Sequence, residues 1–199
     1  MTQFITLDGI DGSGKSSIIK ELAKSLKSMG YTVKTAHEPG TTPAGLEIRK
    51  LLKSGTPISP VSELLLFQAS RADMMETEIK PAIDNNDYDF ILLDRFVHST
   101  IAYQGYGNGH SLNVINILNK IATVNIQPDH SILIDVTLEQ SRSRIGTRNS
   151  ADVDKFDNDI EYATKVYNGY QEMVKSGMLH PVKNNTIDTA VSEIIGIIL

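Results

Sequence analysis

The residues best suited to chemistry lie in a glycine-rich segment near the start of the chain. Residues 9–16 match the phosphate-binding pattern G-x-x-x-x-G-K-[ST] in full. Glycines let the backbone wrap a phosphate chain with its N–H groups pointing inward, and the N-terminus of the next helix adds partial positive charge. Lys15 would reach the terminal phosphates of a nucleoside triphosphate, and the Ser16 hydroxyl would bind Mg²⁺. The predicted phosphate-binding residues are Gly9, Ile10, Asp11, Gly12, Ser13, Gly14, Lys15, Ser16 and Ser17.

Two further acidic residues follow predicted strands. Asp94 comes directly after the apolar run 90–93, a position typical of a carboxylate that acts on Mg²⁺ or its water shell. Arg95 beside it has the planar fork that clamps a phosphate. Glu38 follows the run 31–37 and is succeeded by Pro39 and Gly40, which force a turn. The alternatives are a surface ion pair or helix cap at Asp94–Arg95 and a plain turn at Glu38.

A second group of residues could recognise a nucleobase. Phe67 and Arg71 lie four residues apart in the helical segment 61–85, so they project from one face. The ring could stack on a base, and the guanidinium could donate a hydrogen bond to a base carbonyl. Phe67 alone would more simply be a core residue, but a pocket beside it favours stacking. Polar residues in the next helical stretch could also contact base edges; they are Ser99, Thr100, Tyr103 and Gln104.

Three of the six arginines fall within seven residues. Arg142 and Arg144 end a predicted helix, and Arg148 begins a polar stretch with little apolar content. A basic loop here would close over the triphosphate, exclude water and stabilise the charge that develops during phosphate transfer. We therefore predict a basic lid over about 142–158. A solvated basic helix end is the alternative.

The pattern of the chain predicts a scaffold that brings these residues together. Apolar or β-branched runs predict strands near 3–8, 31–37, 89–94, 130–136 and 179–183. Helices are expected at 17–29, 44–53, 61–85, 112–123, 137–144, 160–176 and 189–199. This alternation implies an α/β fold in which a five-stranded parallel sheet is covered by helices on both faces. Ligands bind such sheets beyond the carboxyl ends of the strands, where the candidate residues would converge.

Composition limits the class of protein. The chain has 199 residues, 40% of them hydrophobic, which suits one compact domain with a substantial core. Its net charge of −5 argues against a nucleic-acid or membrane-surface partner. It contains no cysteine, so disulfides and thiolate chemistry are excluded, which suits the cytoplasm. The apolar terminal stretch 194–199 is too short to span a bilayer.

Taken together, these motifs resemble the thymidylate kinases. The match extends from residue 2 to about residue 172. It is carried by the stretches 8–16, 38–40, 65–67 with Arg71, 94–95, 102–105, 135–137 and 169–170. The combination of a phosphate loop, Asp-Arg after a strand and Ala-Tyr-Gln-Gly is highly specific, whereas either of the last two alone would not be.

The resemblance implies a P-loop NTPase fold of the nucleoside monophosphate kinase type, as a single domain over residues 1–199. It implies transfer of the γ-phosphoryl group of ATP to dTMP, which gives dTDP in dTTP biosynthesis. Mg²⁺ would be the cofactor, dTMP and ATP the substrates, and a homodimer in the cytoplasm the working form. The helix predicted over 61–85 could support the dimer.

The resemblance also implies roles for individual residues. Asp11 would hold the sugar 3′-hydroxyl, Tyr103 would crowd a ribose 2′-hydroxyl, and Asp94 and Ser16 would serve Mg²⁺. Phe67 would stack on thymine and Arg71 would bond its O4, while Arg95 would grip the acceptor phosphate. The implied dTMP-binding set is Asp11, Glu38, Arg49, Phe67, Arg71, Arg95, Ser99, Thr100, Tyr103 and Gln104. The implied catalytic set is Lys15, Asp94, Arg95, Arg142, Arg144 and Arg148.

The chain departs from the family pattern at several positions. His37 stands where an arginine is often found, Phe96 replaces a tyrosine, and Asn108 replaces an arginine. The lid is also shorter and less basic, and Ser13 leaves the phosphate loop without the arginine of some members. Two other functions stay open from the residues alone: a deoxynucleoside kinase, and a nucleotide-dependent interaction protein with no small acceptor.

Overall fold

The centre of the molecule is a parallel sheet of five strands. The structure is a computed structural model, and it describes residues 1–145 and 159–199. The strands are β1 (Gln3–Asp8), β2 (Val33–His37), β3 (Phe90–Asp94), β4 (His130–Asp135) and β5 (His180–Lys183). Their order across the sheet is β2-β3-β1-β4-β5. The α/β prediction with five parallel strands is confirmed, and no predicted strand boundary moves by more than two residues.

Helices cover both faces of this sheet. They are α1 (Lys15–Ser28), α2 (Pro43–Lys53), α3 (Pro60–Met74), α4 (Lys80–Asp84), α5 (Val97–Thr100), α6 (Leu112–Ala122), α7 (Leu138–Ile145), α8 (Ile160–Lys175) and α9 (Ile187–Ile198). Side chains from α1 and α9 form the core on one face, and those from α3, α4, α6 and α8 pack on the opposite face. Among the described residues, no helix is both long and apolar enough to cross a membrane.

The single helix predicted over 61–85 is divided into three parts. A π-helical segment, Met75–Ile79, joins α3 to α4, and a second one, Ile101–Gly107, continues α5. Pro81 has no backbone N–H to continue the α-helical ladder at the start of α4, which explains a wider turn before it. Period analysis of the sequence does not distinguish a π-turn from an α-turn, so these segments were not predicted.

Capping residues explain where two of the site helices begin. The Thr42 side chain accepts a hydrogen bond from the N–H of Gly45, and Pro43 takes the first helical position of α2. The Ser59 side chain and Pro60 play the same parts at the start of α3. Proline suits this position because the first helical N–H has no partner within the helix. Both helices therefore start one residue earlier than predicted.

The strand register places the candidate residues side by side. His37 of β2 pairs with Asp94 of β3, and Asp94 pairs with Leu7 of β1, so three strands end at nearly the same level. The phosphate loop, Glu38 and Arg95 follow directly from these ends. Helix α7 carries Arg142 and Arg144, whereas Arg148 and most of the predicted lid lie outside the described residues.

Candidate functional site

Backbone conformation and packing both require the glycines of the phosphate loop. Gly12 and Gly14 have φ values of 75° and 94°, in the left-handed region that disfavours other residues. A Cβ on Gly14 would lie 2.5 Å from Nδ2 of Asn184, and one on Gly12 would lie 2.6 Å from the carbonyl oxygen of Ser141. The loop is therefore pressed against α7 on one side and against the segment after β5 on the other.

The Lys15 ammonium is held by its own loop. Its Nζ donates to the carbonyl oxygens of Gly9 (2.9 Å) and Ile10 (3.0 Å) and to Oγ of Ser13 (3.2 Å). Burial disfavours the charged form and Arg95 repels it, which together lower the pKa of Lys15 to about 8 despite nearby carboxylates. An anion arriving at this loop would meet a cation whose present partners are uncharged.

The side-chain oxygens of Ser16 and Asp94 lie next to each other and could both serve as metal ligands. Oγ of Ser16 donates to Oδ2 of Asp94 at 2.7 Å. Hard oxygen atoms of this kind suit Mg²⁺, which usually takes one or two protein ligands and completes its shell with water and phosphate. Within residues 1–145 and 159–199, no group of three or more metal-binding side chains occurs. The predicted metal ligands, Ser16 and Asp94, are thus adjacent and of the right chemistry.

Arg95 links the phosphate loop to the wall opposite. Its Nη1 donates to the carbonyl oxygen of Gly9 (3.1 Å), and its Nη2 donates to Oδ1 of Asp11 (2.7 Å). The Tyr103 hydroxyl donates to Oδ2 of the same carboxylate at 2.8 Å. Burial alone would raise the pKa of Asp11, but the cations Arg95 and Lys15 bring it down to about 2. Arg95 itself has a φ of 70°, an uncommon conformation for a non-glycine residue.

Arg71 and Glu38 form a buried ion pair, and Arg71 is only 1% exposed. Nε and Nη2 of Arg71 donate to the Glu38 carboxylate at 2.7–3.0 Å. Nη2 also contacts Oγ1 of Thr100 (2.9 Å) and the Phe96 carbonyl (3.1 Å). Nη1 donates to Oδ1 of Asn119 (2.8 Å) and has a longer contact, of 3.5 Å, with Oε1 of Gln68. Burial raises the pKa of Glu38, although Arg71 opposes the shift.

All ten residues predicted to bind dTMP line one cavity of about 840 Å³, its open mouth included. The structure adds four lining residues outside the predicted dTMP-binding set: Pro39, Leu52, Lys53 and Glu63. Glu63 lies four residues before Phe67 on α3, so helical spacing was a signal that could have found it. We call this space the acceptor cavity.

A second cavity, which we call the donor cavity, opens along the phosphate loop and α1. Its walls include Asp94 and six of the nine predicted phosphate-binding residues, namely Asp11, Gly12, Gly14, Lys15, Ser16 and Ser17. The other three, Gly9, Ile10 and Ser13, do not line it and instead accept hydrogen bonds from Lys15. The two cavities share Asp11, Glu38, Arg49, Lys53 and Arg95, so they are continuous across the Asp11–Arg95 pair.

Arg142 and Arg144 are the two predicted lid arginines within residues 1–145. Nη1 of Arg144 donates to the carbonyl oxygen of Ser13 (3.2 Å), and its Nη2 donates to the carbonyl oxygen of Asn184 (3.1 Å). Arg142 is exposed and lines a small pocket with Ile10 and Tyr103. Arg144 therefore contacts backbone carbonyls of the loop and of the segment after β5. Arg148 lies outside the described residues.

Asp8 is a buried acid that the sequence did not mark for a role. The Ser99 hydroxyl donates to its Oδ1 at 2.6 Å, and the same hydroxyl lies 2.9 Å from the Tyr170 hydroxyl. Burial raises the pKa of Asp8, but hydrogen bonds and the neighbouring His98 shift it below its usual value. Asp8 therefore fixes Ser99, which in turn accepts from Nη1 of Arg95 at 3.1 Å.

The chain is similar to known proteins in both sequence and overall fold. Residues 7–194 match the family model described as Thymidylate kinase. The chain is 41% identical over 194 residues to a thymidylate kinase of Prosthecochloris aestuarii. This match covers 93% of this chain and 85% of the relative. It is 34% identical to one from Staphylococcus haemolyticus, covering 100% of this chain and 98% of the relative. A crystal structure of a thymidylate kinase from Ehrlichia chaffeensis superimposes with a TM-score of 0.82 at 29% identity, covering 100% of this chain and 99% of that one.

Proposed function

We propose that each of the two cavities binds one substrate of the reaction. The chain belongs to the thymidylate kinase family, and it phosphorylates dTMP to dTDP with ATP as donor. ATP phosphates would bind along the phosphate loop, and dTMP would occupy the acceptor cavity. The observation that carries this assignment is the set of residues shared by both cavities, since it includes Arg95 and Asp11. The acceptor phosphate and the γ-phosphate would meet there.

The acceptor base would lie against Phe67. Aromatic stacking is tolerant of the base, so polar contacts have to provide the choice between bases. Arg71 would donate to thymine O4 through Nη1, whose contact with Oε1 of Gln68 is the longest of its set at 3.5 Å. Thr100 and Gln104 would complete the base pocket. Asp11, one third of whose side chain is exposed, would hold the sugar 3′-hydroxyl.

The phosphoryl transfer itself needs positioning and charge neutralisation rather than a covalent intermediate. Lys15 would exchange its loop carbonyls for terminal phosphate oxygens, since an anion is the stronger acceptor. Arg95 would hold the acceptor phosphate while its hydrogen bonds to Gly9 and Ser99 fix the guanidinium. Ser99 and Arg49 would assist at the same end of the cavity. The lid arginines Arg142, Arg144 and Arg148 would add positive charge when the lid covers the donor.

We also propose Mg²⁺ as the cofactor, held by Ser16 and by Asp94, directly or through water. When bound, the ion would neutralise charge on the transferring phosphates. The 2.7 Å contact between the two side-chain oxygens supports this proposal because it brings two hard ligands together at the floor of the donor cavity.

The acceptor screen that tests these roles uses ATP, Mg²⁺ and every common nucleoside monophosphate, with thymidine as a further acceptor. We expect a strong preference for dTMP over UMP, because Tyr103 would crowd a 2′-hydroxyl, and no turnover of thymidine, which lacks the phosphate that Arg95 would hold. ADP release and product identity are both measured. Equal turnover of dTMP and UMP would contradict the base and sugar assignment, and preference for thymidine would favour a deoxynucleoside kinase.

A homodimer is proposed from an exposed apolar face. Helices α3 and α6 pack against each other, and their outer sides carry the exposed residues Val61, Leu65, Val114, Ile117 and Ile121. Contiguous exposed apolar surface of this kind marks interaction sites. Ile117→Glu should convert the dimer to monomers in light scattering, whereas Met178→Glu, at an exposed apolar residue elsewhere, should not. A monomeric wild-type chain would contradict the proposal.

Two coarser proposals complete the assignment. Residues 1–199 form one domain, supported by the single sheet on which all core clusters pack, with a lid over about 142–158. The cytoplasm is the proposed compartment, because thymidylate kinases are enzymes of nucleotide metabolism.

A further inference from the structure

Two rows of side chains face each other across the acceptor cavity. On α3, Glu63, Phe67 and Arg71 are spaced four residues apart, and all three line the cavity. Thr100 and Gln104 form the opposite row and line it too. Nη2 of Arg71 donates to Oγ1 of Thr100 at 2.9 Å, and Nε2 of Gln104 donates to Oε1 of Glu63 at 3.1 Å. The rows are therefore joined at both ends, and Phe67 lies between the two joints.

The joint at Glu63 fixes which way the Gln104 amide faces. A carboxylate only accepts hydrogen bonds, so the NH₂ group of Gln104 has to face Glu63. Asn108 also donates to the same Glu63 oxygen, at 3.3 Å. Both Glu63 and Gln104 are buried, at 3% exposure each, which makes a reversed amide unfavourable because it would place two oxygens together. The side-chain oxygen Oε1 of Gln104 is left pointing away from Glu63, and within residues 1–145 and 159–199 it accepts no hydrogen bond.

We infer that Glu63 is a positioning residue that sets the base preference of the enzyme, by holding the Gln104 amide with its carbonyl oxygen towards the base. The inference rests on the proposed function, in which the base lies against Phe67. Arg71 at one end of the rows offers donors, and Gln104 at the other offers an acceptor. A pyrimidine with a 4-carbonyl group and an adjacent N3–H complements this pattern.

Cytosine reverses the pattern at both positions, because it carries a 4-amino group and an unprotonated N3. Against the fixed Gln104 carbonyl, cytosine N3 would bring two acceptors together, and its amino group would face the Arg71 donors. Leaving buried polar groups without partners is a stronger source of discrimination than a lost apolar contact. Glu63 would therefore help the enzyme to discriminate against dCMP through the orientation of Gln104, without contacting the base itself.

The test replaces Glu63 with methionine, which has a similar length and no acceptor oxygen. The Gln104 amide is then free to turn, so cytosine N3 gains a donor. We expect the ratio of kcat/KM for dTMP to kcat/KM for dCMP to fall by about tenfold or more, with KM for dTMP changing more than kcat. Calorimetric Kd values for dTMP and dCMP should show the same shift without dependence on turnover.

Two variants separate positioning from a structural role. Asn108→Ala removes the second donor to Glu63 and keeps the Glu63–Gln104 bond, so its dTMP to dCMP ratio should equal that of the wild type. Glu63→Gln keeps an oxygen that Gln104 Nε2 can use but allows the amide pair to form either way round, so its ratio should be intermediate. If Glu63→Met does not fold, as judged by thermal unfolding, the Glu63→Gln ratio decides the matter.

The outcomes distinguish this inference from the proposed function. A folded Glu63→Met variant with an unchanged ratio, or an unchanged Glu63→Gln ratio where methionine is not tolerated, would overturn the role of Glu63. Gln104→Leu should raise KM for dTMP without improving dCMP. If both Gln104→Leu and Phe67→Leu leave KM for dTMP unaltered, the base lies elsewhere and the proposed function fails instead.

Discussion

The acceptor cavity and the phosphate loop are held in shape by different means. One wall of the acceptor cavity, which we call the acceptor wall, comprises Glu38, Arg71 and Thr100. Arg71 also donates to Asn119, and the charges of Arg71 and Glu38 neutralise each other in the absence of a ligand. The phosphate loop is held by its own carbonyls through Lys15 and by Asn184 from outside. The ion pair of the wall is thus already complete without a ligand, whereas the loop holds its cation on uncharged partners that phosphate would replace.

This difference separates stability from turnover. A buried ion pair that loses one partner leaves an uncompensated charge, so damage to the wall should weaken the fold. Damage to the loop or to Arg95 removes charge from the transferring phosphates and should mainly slow the reaction.

The largest effect is expected for Arg95→Ala. Arg95 lies between the two cavities, and removing one preorganised donor to a reacting group lowers kcat by about 10²–10³-fold. The melting temperature should change little, because the Asp11 carboxylate it leaves behind is partly exposed to water. Steady-state kinetics and thermal unfolding measure both quantities, with the surface variant Lys80→Ala as control. Turnover near that of the wild type would contradict the proposal that Arg95 binds the acceptor phosphate.

Glu38→Gln should act in the opposite way, on stability first. It leaves the Arg71 guanidinium buried without a carboxylate, which we expect to lower the free energy of unfolding by about 3 kcal/mol. The exposed pair Lys50–Glu47 offers a matched control, since Glu47→Gln should change stability by less than about 0.5 kcal/mol. Urea titrations give both values. A stable Glu38→Gln protein with reduced kcat alone would break the contrast between wall and loop.

Asn184→Ala should loosen the phosphate loop. Nδ2 of Asn184 donates to the carbonyl oxygen of Ser13 at 2.6 Å, and losing one such bond corresponds to about a fivefold rise in KM for ATP. KM for dTMP should stay constant, since the acceptor wall is untouched. The neighbouring Asn185 is exposed, so Asn185→Ala serves as the control. An equal rise in both KM values would mean that the loop and the wall are not independent.

The smallest effect is a pH dependence of kcat/KM for ATP. Because the pKa of Lys15 is lowered to about 8, the free enzyme should lose this cation, and about half of its kcat/KM, near that pH. In the unfolded chain Lys15 keeps its proton up to about pH 10.4, so this group makes the folded state more stable as pH rises between the two values. Activity and stability should move in opposite directions, and Lys15→Arg should abolish the activity step. A flat profile between pH 7 and 9 would contradict the lowered pKa.

Much of the site was accessible from the sequence because its residues follow strand ends or share a helix face. The loop glycines follow β1, Asp94 ends β3 and Arg95 follows it, and parallel strands end at one edge of the sheet. Phe67 and Arg71 share a face of α3. All ten residues of the predicted acceptor set line one cavity, although Arg49 and the acceptor role of Asp11 were implied by the resemblance alone. The roles proposed for them remain predictions.

Other residues were missed because their partners are distant in sequence. Asp8 contacts Ser99 across 91 residues, and Asn184 reaches Ser13 across 171. No spacing rule connects such pairs, since they meet only when neighbouring strands and helices have packed. The π-helical segments were also missed, because apolar periodicity does not register a single widened turn.

The sequence by itself determined the phosphate loop, the order of strands and helices and the residues available at the carboxyl edge of the sheet. Local conformation and hydrophobic periodicity are sufficient for these, because each depends on residues within a few positions of one another. Only the tertiary structure decided which donors are already engaged. It showed that Nε and Nη2 of Arg71 are engaged by Glu38 and its neighbours while Nη1 keeps one contact as long as 3.5 Å, that Lys15 is held by carbonyls, and that Glu63 fixes Gln104. Hydrogen bonding between remote elements has no local signature, and it defines the chemistry that each side chain still offers a ligand.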